Sequence, residues 1–173
     1  MKHSTIICIV GNSGSGKTEL TKYMKDKYGI PYISSYTTRP MREGETDGVE
    51  HTFVDAESMP SNEEMIAYTL FGRFHYWATK EQVENYGICT YVIDEQGLIE
   101  LQERFSTDYD IIKVYVNRPN TEGIDQDRKD RDRKRNALPE DYYDLYIEND
   151  YRCVEDFQKK AAEYIVHMLC ERN

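Results

Sequence analysis

Apolar and polar positions along the 173-residue chain fall into two recurring patterns. An unbroken apolar run at 6–10, and mostly apolar runs at 88–93 and 111–116 interrupted only by Thr90 and Lys113, are rich in β-branched residues, as expected of strands covered on both faces. Between and after them lie segments whose apolar residues recur at three- and four-residue spacing, the mark of helices with one buried face. The first such helix runs through Lys27 and Tyr28 and stops at Gly29, with Pro31 beyond it. Further helices are predicted over 61–68, where Ser61 or Asn62 caps ahead of Glu63 and Glu64, and over 80–85, 95–105 and 153–169. Val154, Phe157, Ala161, Tyr164, Ile165 and Met168 form the buried stripe of the last. Shorter strands are predicted at 31–34, 51–54 and 145–150, with an aromatic-rich strand and turn over 70–78. Strands alternating with helices predict an α/β fold, a parallel sheet flanked by helices.

The first strand leads into Gly11, Asn12, Ser13, Gly14, Ser15, Gly16, Lys17 and Thr18, the spacing G-x-x-x-x-G-K-[ST] between a strand and a helix. Backbone N–H groups of such a loop converge on phosphate oxygens, and the following helix adds its positive end. Lys17 supplies a point charge for the β and γ phosphates, and the Thr18 hydroxyl suits magnesium. This stretch reads as a nucleoside triphosphate site, with ATP and Mg²⁺ as the expected cofactors.

Two later segments bear on that site. The polar loop from Ser35 to Gly48 carries Arg39 and Arg42, whose planar forks suit phosphate oxygens but also occur as solvated surface charge. Asp94 follows the strand at 88–93, on the sheet edge where ligands of open α/β folds bind. Between Asp125 and Leu138 lies a dense basic cluster that includes Arg128, Arg131 and Arg135, interleaved with acids. It reads either as an exposed salt-bridged helix or as the source of cations for a transferring phosphoryl group.

Net charge narrows the partners: at −10 the chain repels nucleic acid and anionic membrane, which leaves small polyanionic ligands. No window approaches a membrane span, and the start of the chain has no secretory pattern, so a cytoplasmic enzyme is expected, monomeric or homodimeric. Cys8, Cys89, Cys153 and Cys170 lack any metal-like spacing and read as free thiols. The length fits one domain.

The loop at 11–18, the run Ser35-Tyr36-Thr37-Thr38-Arg39-Pro40-Met41-Arg42-Glu43-Gly44-Glu45, then Ile93-Asp94-Glu95-Gln96-Gly97, and Ile147-Glu148-Asn149-Asp150 together resemble the guanylate kinase family, in the family order. The resemblance implies a P-loop NTPase-type core (1–34, 87–120 and 140–173), an acceptor-binding lobe (35–86) and a lid (121–139). It implies transfer of the γ-phosphoryl of MgATP to GMP or dGMP. By position, Ser35, Arg39, Arg42 and Tyr76 hold the acceptor phosphate, His51 stands where the family has a tyrosine, and Asn149 meets the adenine. Asp94 serves acceptor or metal, and Arg128, Arg131 and Arg135 supply the lid cations. Where the family reads guanine, this chain has Ala67 and Ala78, with Trp77 and Val92 also departing from the pattern. A shifted register would bring Glu63, Glu64, Thr69 or Thr79 in their place, and Thr79 is grouped here with the acceptor-binding residues. Other readings are a kinase of the same fold acting on another nucleotide or a ribose phosphate such as ribose 1,5-bisphosphate, and a non-catalytic phosphopeptide-binding module of this fold.

Overall fold

In the computed structural model, which describes residues 4–49, 51–150 and 152–172, the strand β1 (Ser4–Val10) lies at the centre of a parallel sheet. Its neighbours are β6 (Ile88–Val92) on one side and β7 (Tyr109–Asn117) on the other, with β8 (Leu145–Glu148) beyond β7. All three pairings are parallel. Successive side chains of a strand point to opposite faces. Thus Ile6, Cys8 and Val10 of β1 pack on one side, while Ile7 and Ile9 pack on the other. Both faces are covered, which is why this run is apolar without a break.

The second face is covered by α1 (Lys17–Tyr28), through Leu20 and Met24, and by α5 (Val154–Arg172), through Phe157, Ala161, Ala162 and Ile165. Gly29 ends α1 in the left-handed conformation at φ 68°, as its position before Pro31 predicts. On the first face lie α2 (Lys80–Tyr86), with Val83, and α3 (Glu95–Phe105), with Leu98, Leu101 and Phe105. Ile66, Ala67 and Ala78, from the segment expected to form the acceptor lobe, join this same cluster, so that segment and the sheet share one apolar interior.

The lobe is a second sheet of order β3-β2-β5-β4, built from β2 (Tyr36–Thr37), β3 (Thr52–Phe53), β4 (Met65–Phe71) and β5 (Phe74–Thr79). Here the helix expected over 61–68 is corrected. Glu64 does accept from the Ser61 N–H and hydroxyl at 3.2 and 3.0 Å, but this cap closes only one turn. The chain then enters β4, because antiparallel pairing with β5 across the Gly72 turn buries Met65, Ile66, Ala67 and Thr69. The strand expected over 31–34 is reduced to one bridge, Tyr32 to Thr90, before the chain leaves for the lobe. The basic segment forms the short helix α4 (Gln126–Arg133), which buries none of its residues. Among the described residues no helix is long and apolar enough to cross a membrane. All four cysteines are free.

Candidate active site

The chain turns to opposite sides of β1 to reach β6 and β7, which opens a crevice at the carboxyl ends of these strands. The loop 11–18 and Asp94 both sit there. Gly11 cannot carry a side chain, since an added Cβ would stand 2.2 Å from the Val116 carbonyl oxygen. Gly16 caps α1 at φ 102°, and a Cβ there would meet the Phe157 ring at 2.7 Å. The cradle shape of the loop therefore depends on its own glycines and on α5 behind it.

Lys17 folds back across the loop and donates to the Gly11 and Asn12 carbonyls at 2.7 Å each. Burial, and then the neighbouring Arg135, lower its pKa to about 8. The Ser13 N–H and hydroxyl donate at 3.0 and 3.2 Å to the carboxylate of Asp132, which comes from α4. An anion thus already sits on the loop's donors, and that stand-in tests the fit of the site to phosphate.

A cavity of about 310 Å³ extends from Gly11, Ser13 and Lys17 to the second sheet. There Arg39, only 6% exposed, makes a two-bonded fork to Glu45 at 2.8 and 2.9 Å. Those bonds hold the Glu45 carboxyl down at about 2. Tyr76 lines the same cavity beside Arg39. Ser35 and His51 share a hydrogen bond of 2.8 Å, and burial followed by the Arg39 charge lowers the His51 pKa, which favours the neutral ring. Burial and the positive charges of Arg39 and Arg131 lower the pKa of Arg42. Three guanidinium groups therefore converge on one region, a field that calls for an anion.

The expected site residues divide by place. Ser35, Arg39, Arg42, His51, Tyr76 and Asp94 line the main cavity, as do Arg131 and Arg135, expected as lid cations. Arg128 lines a second cavity of about 450 Å³ on the other side of the loop, together with Gly14, Gly16, Thr18 and Asn149. Asn149 also braces the loop, donating from Nδ2 to the Ser15 carbonyl at 2.8 Å. Thr79 does not line the main cavity. Its hydroxyl caps α2 by accepting from the Gln82 N–H, and the Gln82 side chain accepts from the Thr79 N–H. Of the register-shift candidates only Thr69 lines this cavity; the bulge between Ile66 and Thr69 sets it opposite Tyr76, on the same face of the hairpin. Ala67 and Val92 line it too, while Ala78 is fully buried in the core.

Asp94 is the N-cap of α3, accepting from the Gly97 N–H at 2.7 Å, and burial raises its pKa. Thr18 opens into neighbouring cavities rather than the one that Asp94 lines. Among the described residues no group of three or more His, Cys, Asp or Glu could cage a metal. So few protein ligands, with Thr18 and Asp94 in separate cavities, fit only an ion such as magnesium that keeps most of its waters.

Sequence reasoning did not single out Glu95, Asp132 or Tyr91. In the dense run of alternating charges nothing marks which acid turns inward. Glu95 was legible only as the neighbour of Asp94, and Tyr91 only as part of an apolar run.

The guanylate kinase family model matches residues 3–167. A guanylate kinase of Legionella pneumophila (strain Lens) is 30% identical over 171 residues, covering 90% of this chain and 80% of that protein. One from Sulfurimonas denitrificans is 30% identical over 181 residues, covering 94% and 86%. The crystal structure of guanylate kinase from Anaplasma phagocytophilum superposes with a TM-score of 0.67 at 20% identity, covering 99% of this chain and 87% of that one, a likeness of fold. With a match that spans almost the whole sequence, and a phosphate loop facing paired arginines across one cavity, the chain belongs to the guanylate kinase family.

Proposed function

We propose that this chain transfers the γ-phosphoryl group of ATP to GMP or dGMP. The observation that carries the reading is the single cavity joining Lys17 and the phosphate loop to Arg39, Arg42 and Tyr76, with Arg131 and Arg135 between them. Two phosphates held at its two ends would face each other across those cations. In the transfer an acceptor phosphate oxygen bonds to the γ-phosphorus and the bond from that phosphorus to the β–γ bridging oxygen breaks, leaving ADP and GDP. Such a loose transition state needs positioning and charge neutralisation more than a base.

The loop N–H groups and Lys17 hold the donor phosphates, while Asn149 and Arg128 line the donor side. Arg39, aimed by Glu45, holds the acceptor phosphate with Arg42, Ser35, His51 and Tyr76. Thr18, on the donor side of the loop, would hold Mg²⁺ directly, and Asp94, which lines the other cavity, would reach it through water; the ion would supply charge neutralisation to the phosphates. Segment 121–139 would act as a lid whose arginines meet the transferring group, and its closure would keep water out.

At the base end, Ala67, Phe71 and Val92 are apolar, and Thr69 offers one hydroxyl in place of a charged reader. That observation favours including other acceptors in the test. The experiment is product formation from MgATP with GMP, dGMP, other nucleoside monophosphates and ribose 1,5-bisphosphate, with Lys17→Ala as control. Lys17-dependent formation of GDP or dGDP supports the proposal, and transfer to a different acceptor alone replaces it.

A further inference from the structure

Glu95, the first residue of α3, is a charged side chain only 5% exposed. A carboxylate taken out of water is tolerated when it is paired and hydrogen-bonded. The partner of Glu95 comes from across the cavity. Arg135, just past the end of α4, reaches Glu95 Oε2 with Nε and Nη2 at 2.9 and 2.8 Å. Its Nη1 donates to the Gly11 carbonyl at 2.6 Å and stands 3.7 Å from Asp132.

The guanidinium is therefore tied to three parts of the molecule: to α3, to the first residue of the phosphate loop and to its own segment. The position of the third tie matters. The Asp132 carboxylate lies on the Ser13 N–H and hydroxyl, the donors of the phosphate loop. Arg135 thus already stands beside an anion seated at the loop, with its opposite edge held by a carboxylate anchored in the core.

We propose that Glu95 is a positioning residue for phosphoryl transfer: it fixes Arg135 so that a donor phosphate replacing Asp132 on Ser13 meets the guanidinium already in place. This rests on the phosphotransferase reading above. The contact with Asp132 is lost when a phosphate takes its place, whereas the tie to Glu95, on the first turn of a packed helix, persists. An arginine left to find its own rotamer loses that preorganisation, and displacements of about 1 Å at such a site cost roughly 100-fold in rate.

A purely structural ion pair would pin residues 134–138 to the core and have no special bearing on the chemical step. The two roles separate in steady-state kinetics. Glu95→Gln keeps the size of the side chain and removes its charge. Its kcat is expected to fall by about 10- to 100-fold, with KM for MgATP and GMP within about threefold of wild type. Arg135→Ala should lose a similar factor, and the double variant should fall no further than Arg135→Ala alone, because Glu95 acts through Arg135. Glu95→Asp, which keeps the charge one methylene short, should lie between wild type and Glu95→Gln, and it serves if Glu95→Gln does not fold. Wild-type kcat in the Glu95 variants, losses that multiply in the double variant, or a change confined to KM would each overturn the assignment while leaving the phosphotransferase reading intact. Absence of turnover in the wild-type chain would overturn both.

Discussion

Lys17 shows how much one residue's chemistry depends on what is absent from sequence. Its place in G-x-x-x-x-G-K-[ST] made it legible as a phosphate-binding lysine, yet its pKa of about 8 comes from burial against the loop and from Arg135, more than a hundred residues away in the chain. An anionic phosphate beside the amine favours its charged form and so raises that pKa on binding. MgATP binding at pH 8 to 9 is therefore expected to take up a proton, and affinity to fall as pH rises through about 8. Calorimetry in buffers of different ionisation enthalpy checks the sign; proton release would contradict it. Asp132 is the opposite case, one acid among interleaved acids and bases with no sequence sign that it turns inward. Because its carboxylate holds the donors of Ser13, Asp132→Ala should tighten MgATP binding by about 5- to 10-fold, the scale of one hydrogen-bonded competitor removed. Weaker binding would show that Asp132 supports the loop rather than competes for it.

At the level of elements, the strands of the central sheet and four of the five helices are where the apolar pattern puts them. Ile6 to Val10, apolar throughout, had to be covered on both faces, which a central strand of a parallel sheet provides. The lobe was harder to read. Ser61, Glu63 and Glu64 carry a genuine helix-start signal, but the partner that overrules it, β5, lies ten residues further on and announces itself only as aromatics. The bulge that brings Thr69 opposite Tyr76 has no local signature, and Ala67 sits at φ 54° with no glycine to mark it. Thr79 was hard to place for a related reason: a hydroxyl next to a site motif suggests a ligand contact, while the bonds it makes are those of the cap of α2. Thr79→Ala should cost about 1 kcal/mol of stability through the lost cap and leave the acceptor KM unchanged. A rise in that KM with stability intact would return Thr79 to the site.

Over the whole molecule, the alternation of strands and helices determines where the crevice opens, and the crevice brings together residues far apart in the chain. Gly11, Arg39, Asp94 and Arg135 line one cavity although they come from four separate segments. Motifs identify such segments one by one; the distances between them, and the ties from Glu95 and Asp132, follow from packing that no single motif encodes. The charge of −10 does not oppose binding of anions, because Arg39, Arg42 and Arg131 create a local positive field inside an acidic protein. What the base end of the cavity accepts is set by Ala67, Thr69, Phe71 and Val92 as much as by the phosphate grip. The measurement that bears most directly on the account is chromatographic quantification of both products from MgATP and GMP, in wild type and in Lys17→Ala. The account predicts GDP and ADP in equal amounts from the wild-type chain and neither from the variant. ADP without GDP, or no nucleotide turnover at all, would contradict it.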